Sequence, residues 1–394
     1  MPRPFRYAFL SLFFFLYGCV TGDSDTSNLS DSANRVLGQP DFKSADNNGG
    51  LSAASGSSLS SPQGIFFDGT RLFIADTINN RVLIWSSNPA SNNQAADMVL
   101  GQGSMTETMP NRGTIATCAT LSLPTAVHVN GNRLFVADSG NNRVLVFNNA
   151  DSLSTGQAAD FVMGHANCQE TRPNRFNEAT NGVNAGTLSN PTSVFYDGRD
   201  IFIADTDNFR VLIYRGLPPG HGKDANVVIG QSEMDANAAR AVDQNTLNKP
   251  QGVTVRDDDL LISDTGNHRV LIFTSIPGSN NASANFVIGQ PDFKSASSGT
   301  AANRLSNPKQ IHGDSGDKLA IADSGNHRVL VYNGIPAQNG VNAKDLIGQD
   351  NFTTSSPNRG KEPGSTTLDG PHGVFTNGSI YWIADTLNHR ALRF

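Results

Sequence analysis

The chain has 394 residues, of which 16% are charged, and its formal net charge at pH 7 is −6. Its 38 glycines and 19 prolines, together with many Asn and Ser, interrupt short apolar runs, a composition typical of an all-β protein rich in turns. An acidic chain without a basic stripe is a poor match for nucleic acid, so we expect no nucleic-acid partner.

The N-terminus has the parts of a secretory signal: Arg3 and Arg6, an apolar stretch over residues 7–17, and then small residues. The run Leu16-Tyr17-Gly18-Cys19 resembles the lipobox of bacterial lipoproteins, in which the Cys is acylated. The resemblance implies a signal peptide over residues 1–18 and an exported, lipid-anchored protein of the bacterial cell envelope, with the outer membrane favoured over the inner. Signal cleavage near Gly18 that leaves a free thiol is the alternative.

Residues 19–32 are polar and cannot bury a core, so we predict a flexible tether followed by one folded unit over residues 33–394. With Cys19 assigned to lipid, Cys118 and Cys168 remain, an even number in an oxidising compartment. We therefore expect a disulfide between Cys118 and Cys168.

Six similar segments follow one another along this unit. Their second halves read LFIADTINNRVLIW, LFVADSGNNRVLVF, IFIADTDNFRVLIY, LLISDTGNHRVLIF, LAIADSGNHRVLVY and YWIADTLNHRALRF. Self-similarity at a near-constant spacing is the sequence signature of a repeat architecture. The shared aspartates are Asp76, Asp138, Asp205, Asp264, Asp323 and Asp385.

Each segment predicts four strands, named a to d. Strand a follows a Leu-x-x-Pro turn, strands b and c flank the aspartate motif, and strand d is an apolar run that ends in Gly-Gln or Gly-His, such as MVLGQ. Strands b and c are nearly continuous apolar runs, which indicates a sheet covered on both faces. Six such sheets stacked around an axis form an all-β, six-bladed propeller of antiparallel blades.

The number of strands predicts how the ring closes. The chain stops at the end of the sixth strand c, whereas an additional copy of strand d, RVLGQ, stands alone at residues 35–39. We expect this N-terminal strand to pair with residues 391–394 and complete the last blade.

The Asp, Asn and Arg of the motif are predicted to be structural, because the segment connects two apolar strands and needs a tight reversal. We expect positive φ at the first Asn of each motif, namely Asn79, Asn141, Asn208, Asn267, Asn326 and Asn388. The arginines that open strand c are expected to bond the preceding Asp or a neighbouring blade. These arginines are Arg81, Arg143, Arg210, Arg269, Arg328 and Arg390.

These units resemble NHL repeats, most closely at Asn267-His268-Arg269-Val270, Asn326-His327-Arg328-Val329 and Asn388-His389-Arg390. The resemblance implies six-bladed propellers that bind proteins, peptides or RNA, with a minority of enzymes such as the peptidyl-amidoglycolate lyase. Units in this chain are longer than is usual for the family. The excess lies in the connections from strand d to strand a, at residues 40–58, 103–120, 166–187, 232–245, 291–304 and 350–367.

A candidate ligand site follows if strand a is innermost, as the resemblance implies. The residue after each strand-a proline then lies near the mouth of the central channel. This column is Gln63, Thr125, Thr192, Gln251, Lys309 and His372. A water-filled channel without a ligand is the alternative interpretation. The next column is mostly small, which lets the strands crowd the axis: Gly64, Ala126, Ser193, Gly252, Gln310 and Gly373.

We assign no catalytic residue, metal or cofactor. Metal-assisted catalysis needs three convergent ligands and a base, whereas the remaining histidines are expected to be structural or exposed: His128, His312, His268, His327 and His389. The favoured function is a monomeric binding or scaffold protein that recognises a protein, peptide or glycan through the face with the long connections. The alternative is a metal-dependent lyase or hydrolase that works in the central channel.

Overall fold

The computed structural model describes residues 29–175, 182–314 and 317–394, and the predicted signal peptide and Cys19 lie outside these residues. Within the described chain, 24 strands form six separate four-stranded sheets, and every ladder is antiparallel. The prediction of a six-bladed propeller is confirmed.

The first three blades use consecutive strands in the order a, b, c, d. Blade one contains β2 (Pro62–Phe67), β3 (Leu72–Asp76), β4 (Arg81–Trp85) and β5 (Met98–Leu100). Blade two contains β6 (Pro124–Asn130), β7 (Arg133–Asp138), β8 (Arg143–Phe147) and β9 (Phe161–Met163). Blade three contains β10 (Pro191–Tyr196), β11 (Asp200–Asp205), β12 (Arg210–Arg215) and β13 (Val227–Ile229).

The last three blades follow the same order, except that the N-terminal strand supplies the final strand d. Blade four contains β14 (Gly252–Arg256), β15 (Asp259–Asp264), β16 (Arg269–Phe273) and β17 (Phe286–Ile288). Blade five contains β18 (Pro308–Gly313), β19 (Lys318–Asp323), β20 (Arg328–Asn333) and β21 (Asp345–Ile347). Blade six contains β22 (Pro371–Thr376), β23 (Tyr381–Asp385), β24 (Arg390–Arg393) and β1 (Arg35–Leu37).

Short 3₁₀ helices lie in the connections. Six of them link strands b and c: Thr77–Asn79, Ser139–Asn141, Thr206–Asn208, Thr265–Asn267, Ser324–Asn326 and Thr386–Asn388. The others described are Asn47–Gly50, Pro110–Gly113, Ala150–Ser152 and Pro357–Gly360. No helix among the described residues is long and apolar enough to cross a membrane.

The ring closes as predicted. Strand β1 pairs antiparallel with β24, with Val36 opposite Leu392 and Leu37 opposite Ala391. Val36, Leu37 and Leu392 are each 0% exposed, so the joint between the two ends of the chain is also part of the hydrophobic core. The N-terminal strand therefore contributes both ladder hydrogen bonds and apolar burial to the last blade.

A buried ion pair occupies the same place in every blade, as blade four shows. Asp264 Oδ2 accepts hydrogen bonds from Arg269 Nε at 2.7 Å and from Asn267 Nδ2 at 2.8 Å, while Oδ1 accepts the Asn248 N–H at 2.6 Å. The aspartate and arginine side chains of all six pairs are 0% exposed. We call this arrangement the Asp–Arg junction.

The guanidinium of each junction also holds the long connections. Arg269 Nη1 donates to Phe293 O at 2.5 Å, and Nη2 donates to Asp243 O at 2.7 Å and to Thr246 O at 3.0 Å. These carbonyls belong to the connections before and after blade four. One arginine thus satisfies buried backbone acceptors in two long connections. These carbonyls lie outside helices and sheets, where backbone hydrogen-bond partners are few.

The predicted position of positive φ is wrong by one residue. Asn79 and its equivalents end the 3₁₀ helix, and their amides donate to the junction aspartate. The left-handed conformation falls on the following residue, where the chain turns into strand c. These residues are Asn80, Asn142, Phe209, His268, His327 and His389, with φ between 52° and 55°.

The residues in this left-handed position also join neighbouring blades. Each Asn or His side chain accepts the N–H of the residue before the strand-a proline of the next blade. Asn80 Oδ1 accepts from Leu123 N at 2.8 Å, and His268 Nδ1 accepts from Asn307 N at 3.1 Å. His327 and His389 make the same bond at 3.0 Å. An imidazole Nδ1 that accepts a hydrogen bond carries no proton, so at His268 and His389 this contact requires neutral histidine. The Nδ1 of His327 also lies 2.9 Å from Asp369 Oδ1.

A second set of bonds between blades comes from the hydroxyl that follows the junction aspartate in five of the six blades. Thr77 Oγ1 donates to Pro124 O at 2.8 Å, and Thr386 Oγ1 donates to Pro62 O at 2.7 Å across the closure of the ring. Ser139, Thr206 and Thr265 make the equivalent contact. These residues place strand a of each blade against its neighbour around the axis.

Cys118 and Cys168 form a disulfide in the structure, with their Cα atoms 5.2 Å apart. The bond joins the connection between blades one and two to the connection between blades two and three.

The histidine contacts between blades predict that acid destabilises the protein. Burial lowers the pKa of His268 and His389 below 6.5, the ordinary value that the unfolded chain recovers. The unfolded state then binds more protons, so the free energy of unfolding falls as the pH drops below 6.5. We expect the variant His268→Asn, His389→Asn to lose less stability between pH 7.5 and pH 5.5 in urea titrations.

Asparagine is a matched replacement because Asn80 and Asn142 already accept the same bond in blades one and two. The free energy of unfolding of the variant should therefore change less steeply with pH than that of the wild type. Equal slopes for the wild type and the variant would show that these two contacts do not depend on protonation.

Candidate functional site

The channel has two different ends. Strand a starts with its proline beside the 3₁₀ helix between strands b and c, as the pairing of Pro62 with Asp76 shows. The long connections lie at this end, which we call the long-loop face, because the junction arginines bond to them there. The opposite end carries the hairpins between strands a and b and is called the hairpin face.

The channel-mouth column falls into two groups in the structure. Gln63, Gln251, Lys309 and His372 are partly buried, and Lys309 Nζ donates to Gln251 Oε1 at 2.6 Å. Burial lowers the pKa of Lys309 to about 8. Burial, and then the charge of Lys309, lower the pKa of His372. Blades four, five and six therefore bring an amide, an amine and an imidazole together at the mouth.

The two threonines of the column have another environment. Thr125 Oγ1 lies 2.5 Å from Ser139 Oγ, and Thr192 Oγ1 lies 2.6 Å from Thr206 Oγ1. Both threonines are buried. Their hydroxyls belong to the contacts between blades, so the polar side chains at the mouth are unevenly distributed around the axis.

Below the mouth, the strands are too close for larger side chains. A Cβ on Gly373 would lie 2.1 Å from Gln63 O, and one on Gly252 would lie 2.3 Å from Lys309 O. Gln310 holds the same place in blade five, and its Nε2 reaches Ile65 O of blade one at 3.4 Å. This amide passes the inner edge of blade six, because a Cβ on Gly373 would lie 3.0 Å from Gln310 Oε1.

The lower part of the channel contains a cluster of rings. Phe66 contacts His128 with ring centroids 4.8 Å apart, Phe375 at 5.4 Å and His312 at 5.9 Å, and His128 lies 4.3 Å from Phe195. Burial lowers the pKa of His128 to about 4, and burial and the nearby His128 lower that of His312 to about 3. Both imidazoles are neutral and behave as members of an aromatic cluster.

The long-loop face carries exposed apolar side chains. In the part of the chain that the structure describes, the exposed large hydrophobic residues are Leu51, Ile78, Met109, Ile115, Leu123 and Leu387, with 42% to 72% of each residue accessible. All six lie in long connections, in the turns between strands b and c, or beside a strand-a proline. Large apolar side chains exposed on one face mark a surface for interaction.

Four of these residues form what we call the apolar arc: Ile78, Met109, Leu123 and Leu387. The Asn80 amide holds three of them together, because its Nδ2 donates to Ile78 O at 3.1 Å and to Thr108 O at 2.9 Å, while its Oδ1 accepts from Leu123 N. Leu387 has the place in blade six that Ile78 has in blade one. The arc therefore spans blades six, one and two beside the channel mouth.

Leu123 is an exposed leucine in a backbone conformation that rarely holds one. It has φ of 47°, a left-handed conformation that is unfavourable for leucine, and it remains 42% exposed. The same position in blade one is a serine, Ser61, with φ of 46°. The left-handed conformation recurs at this position in the other blades, at Asn190, Lys249, Asn307 and Gly370, so it belongs to the repeat. The exposed apolar side chain is the feature particular to Leu123.

The apolar arc was not predicted from the sequence. Its members are isolated apolar residues in polar turns, and their grouping depends on the neighbour relations of blades six, one and two. One position of the repeat could have indicated the arc. It is occupied by glycine at Gly140, Gly266 and Gly325, but by a large apolar residue at Ile78 and Leu387.

The long connections that carry part of the arc are held in place by side chains. In addition to the junction arginine, Gln102 Nε2 donates to Asn80 O and to Met109 O, both at 2.9 Å. Asn111 and Asn141 exchange amide hydrogen bonds of 2.9 Å in both directions. The backbone around Met109 is therefore fixed before any partner arrives.

Among the described residues, one group of three potential metal ligands comes close together, formed by Cys118, Cys168 and His221. The two sulfur atoms are joined to each other in the disulfide, and a thiolate is the form that binds metal.

Comparisons with known proteins agree with the repeat. Residues 121–147 and 247–273 match the family model of the NHL repeat. No curated protein matches the sequence significantly. The described chain is therefore a six-bladed propeller that contains NHL repeats.

Solved structures with a similar fold are distant in sequence. A protein of unknown function from Bacteroides thetaiotaomicron has 12% identity and a TM-score of 0.50, with 92% of this chain and 74% of that chain covered. Virginiamycin B lyase from Staphylococcus aureus has 12% identity and a TM-score of 0.46, over 85% and 94%. A chain of the nidogen/laminin complex has 15% identity and a TM-score of 0.40, over 74% and 81%. These similarities concern the fold alone.

Proposed function

We propose that this protein is a binding protein that recognises a protein or peptide through its long-loop face, with the apolar arc as the centre of the contact. The observation that carries the proposal is the grouping of Ile78, Met109, Leu123 and Leu387 on one rigid face. Exposed apolar residues surrounded by polar ones are typical of the core of a protein interface.

The chemistry of the arc favours a partner with apolar side chains. Three of its residues are aliphatic and the fourth is methionine, so it offers nonpolar contact area without hydrogen-bonding groups. A glycan presents mainly hydroxyl groups, which would lose water against this surface without gaining partners. A protein or peptide is therefore the better match.

The alternative function, a metal-dependent lyase or hydrolase in the channel, remains a prediction with less support. The channel mouth offers Lys309 and His372, and the lower cluster offers His128 and His312. His128 and His312 belong to the ring cluster around Phe66, whereas His372 follows Pro371 at the start of strand a. The imidazoles therefore lie in two places, whereas metal-assisted catalysis needs them convergent.

The proposal is tested by comparing what the protein captures from an envelope extract before and after the arc is removed. The variant Ile78→Ser, Leu123→Ser, Leu387→Ser should lose at least about tenfold of the specifically bound partner, because burial of an aliphatic side chain contributes about 1.5 to 3 kcal/mol. Serine is already present at the place of Leu123 in blade one, so the fold should tolerate the change.

The control variant Leu51→Ser, Ile115→Ser removes exposed apolar area from the same face outside the arc. It should retain the partner, as measured by quantitative mass spectrometry of the bound fraction. Equal capture by the arc variant and the wild type would exclude the arc as the contact.

We further propose that the protein is exported and anchored to the bacterial cell envelope through lipid on Cys19. The disulfide between Cys118 and Cys168 supports an oxidising compartment, since disulfides are rare where thiols are kept reduced.

The anchor is tested by metabolic labelling with a fatty-acid analogue. The wild type should take up the label and the variant Cys19→Ser should not. Cys118 and Cys168 provide the internal control, since both belong to the disulfide and should carry no lipid. Label that persists in Cys19→Ser would refute the anchor.

A further inference from the structure

A cavity of about 790 Å³ opens on the hairpin face, at the end of the channel opposite the apolar arc. Blades five, six, one and two form its wall through their hairpins between strands a and b. Its volume lies within the range of pockets that take small organic molecules, and polar and apolar groups both contribute to its lining.

The charged side chains of this cavity carry a net negative charge. Arg71 is held by two carboxylates, with Nε 2.7 Å from Asp68 Oδ2 and Nη2 3.1 Å from Asp151 Oδ1. Asp314 also lines the cavity. Three carboxylates and one guanidinium leave a formal charge of −2, since His312, whose pKa is about 3, is neutral at pH 7.

Asp314 is the unusual member of this group. It is 6% exposed, and its Oδ1 accepts the Lys318 N–H at 2.8 Å. The Lys318 ammonium bonds to Asn333 rather than to Asp314. The ion pairs of Arg256, on the neighbouring blade, are with Asp257 and Asp317. A buried carboxylate without a cationic partner is costly, and a bound cation would compensate its charge.

Aromatic rings line the inner end of the cavity. Phe66, Phe67, Phe375 and His312 all contribute to the lining. Phe375 contacts Phe66 with centroids 5.4 Å apart, Phe67 at 5.9 Å and His312 at 4.4 Å. Aromatic faces attract alkylated ammonium groups, which are weakly hydrated and keep their charge.

From these contacts we infer that the hairpin-face cavity binds an organic ammonium ion, with the charge near Asp314 and the alkyl groups against Phe66 and Phe375. Carboxylates supply the electrostatic attraction, and the rings supply a surface that small inorganic cations cannot use. This site is independent of the apolar arc, because the closely packed strands at Gly252 and Gly373 lie between them.

Two sources of the ammonium group are compatible with this geometry. One is a free amine in solution, and the other is the head group of a choline lipid. The described N-terminal residues Leu29 and Ser30 lie beside the blade-six hairpin at Gly378, next to this face. An anchor on Cys19, if the proposal above holds, would keep the hairpin face near a membrane.

Isothermal titration of the mature protein with choline tests the site, with 3,3-dimethyl-1-butanol as a neutral ligand of the same shape. Choline should bind at least about tenfold more tightly than the alcohol, a difference of about 1.4 kcal/mol. The variant Asp314→Asn, which keeps an acceptor for the Lys318 N–H, should weaken choline binding by a similar factor. Phe375→Leu should weaken it separately by removing the ring.

Asp207→Asn, on the long-loop face, removes one negative charge at a distance and should leave choline binding unchanged. Melting curves of each variant establish that the fold is intact.

Sedimentation with phosphatidylcholine vesicles then distinguishes the two sources of the ammonium group. Cosedimentation of the protein with the vesicles that requires Asp314 assigns the lipid head group, and binding of choline without cosedimentation assigns a free amine.

The inference is overturned if choline does not bind, if the neutral alcohol binds equally well, or if binding survives both Asp314→Asn and Phe375→Leu. None of these results depends on the apolar arc, so the two sites are tested separately.

Discussion

The buried Asp–Arg junction is the interaction on which the rest of the structure depends. Its aspartate fixes the turn between strands b and c, and its arginine fixes the long connections on both sides of the blade. Burying two charges is favourable only when the remaining donors and acceptors are satisfied, and here the guanidinium meets backbone carbonyls in addition to the carboxylate. Long connections rich in Asn, Ser and Gly are thereby fixed to the blades by hydrogen bonds, although they have little regular secondary structure.

A rigid long-loop face explains how one molecule can carry two different surfaces. The arc at Ile78 and Leu123 stays exposed because its backbone is held from below by Asn80 and the junction. At the other end of the channel, short hairpins leave space that rings and carboxylates line. Between the two ends the strands are so close that a Cβ on Gly373 would meet the backbone of Gln63. The packing that closes the ring also separates the surfaces.

The fold could be predicted from the sequence because each of its signals occurs six times. The strands, the number of blades and the closure by residues 35–37 all follow from the pattern. The position of positive φ could not, because Asn79 and Asn80 are adjacent and equally suited to a left-handed turn. Which one adopts it depends on the bond from Asn79 to the buried Asp76. The two binding surfaces could not be predicted for a related reason. Leu123, Phe66 and Asp314 each meet the other members of their surface only where different blades lie side by side.

Amide hydrogen exchange of the wild type and Asp264→Ala tests the central role of the junction most directly. The account predicts slow exchange within residues 232–245 and 291–304 of the wild type, and a marked increase in these two connections in the variant, because Arg269 then loses the aspartate that orients it toward them. Residues 103–120, held by Arg81 and Arg143, should be unaffected. Unchanged exchange near blade four, or an even increase around the ring, would contradict the account.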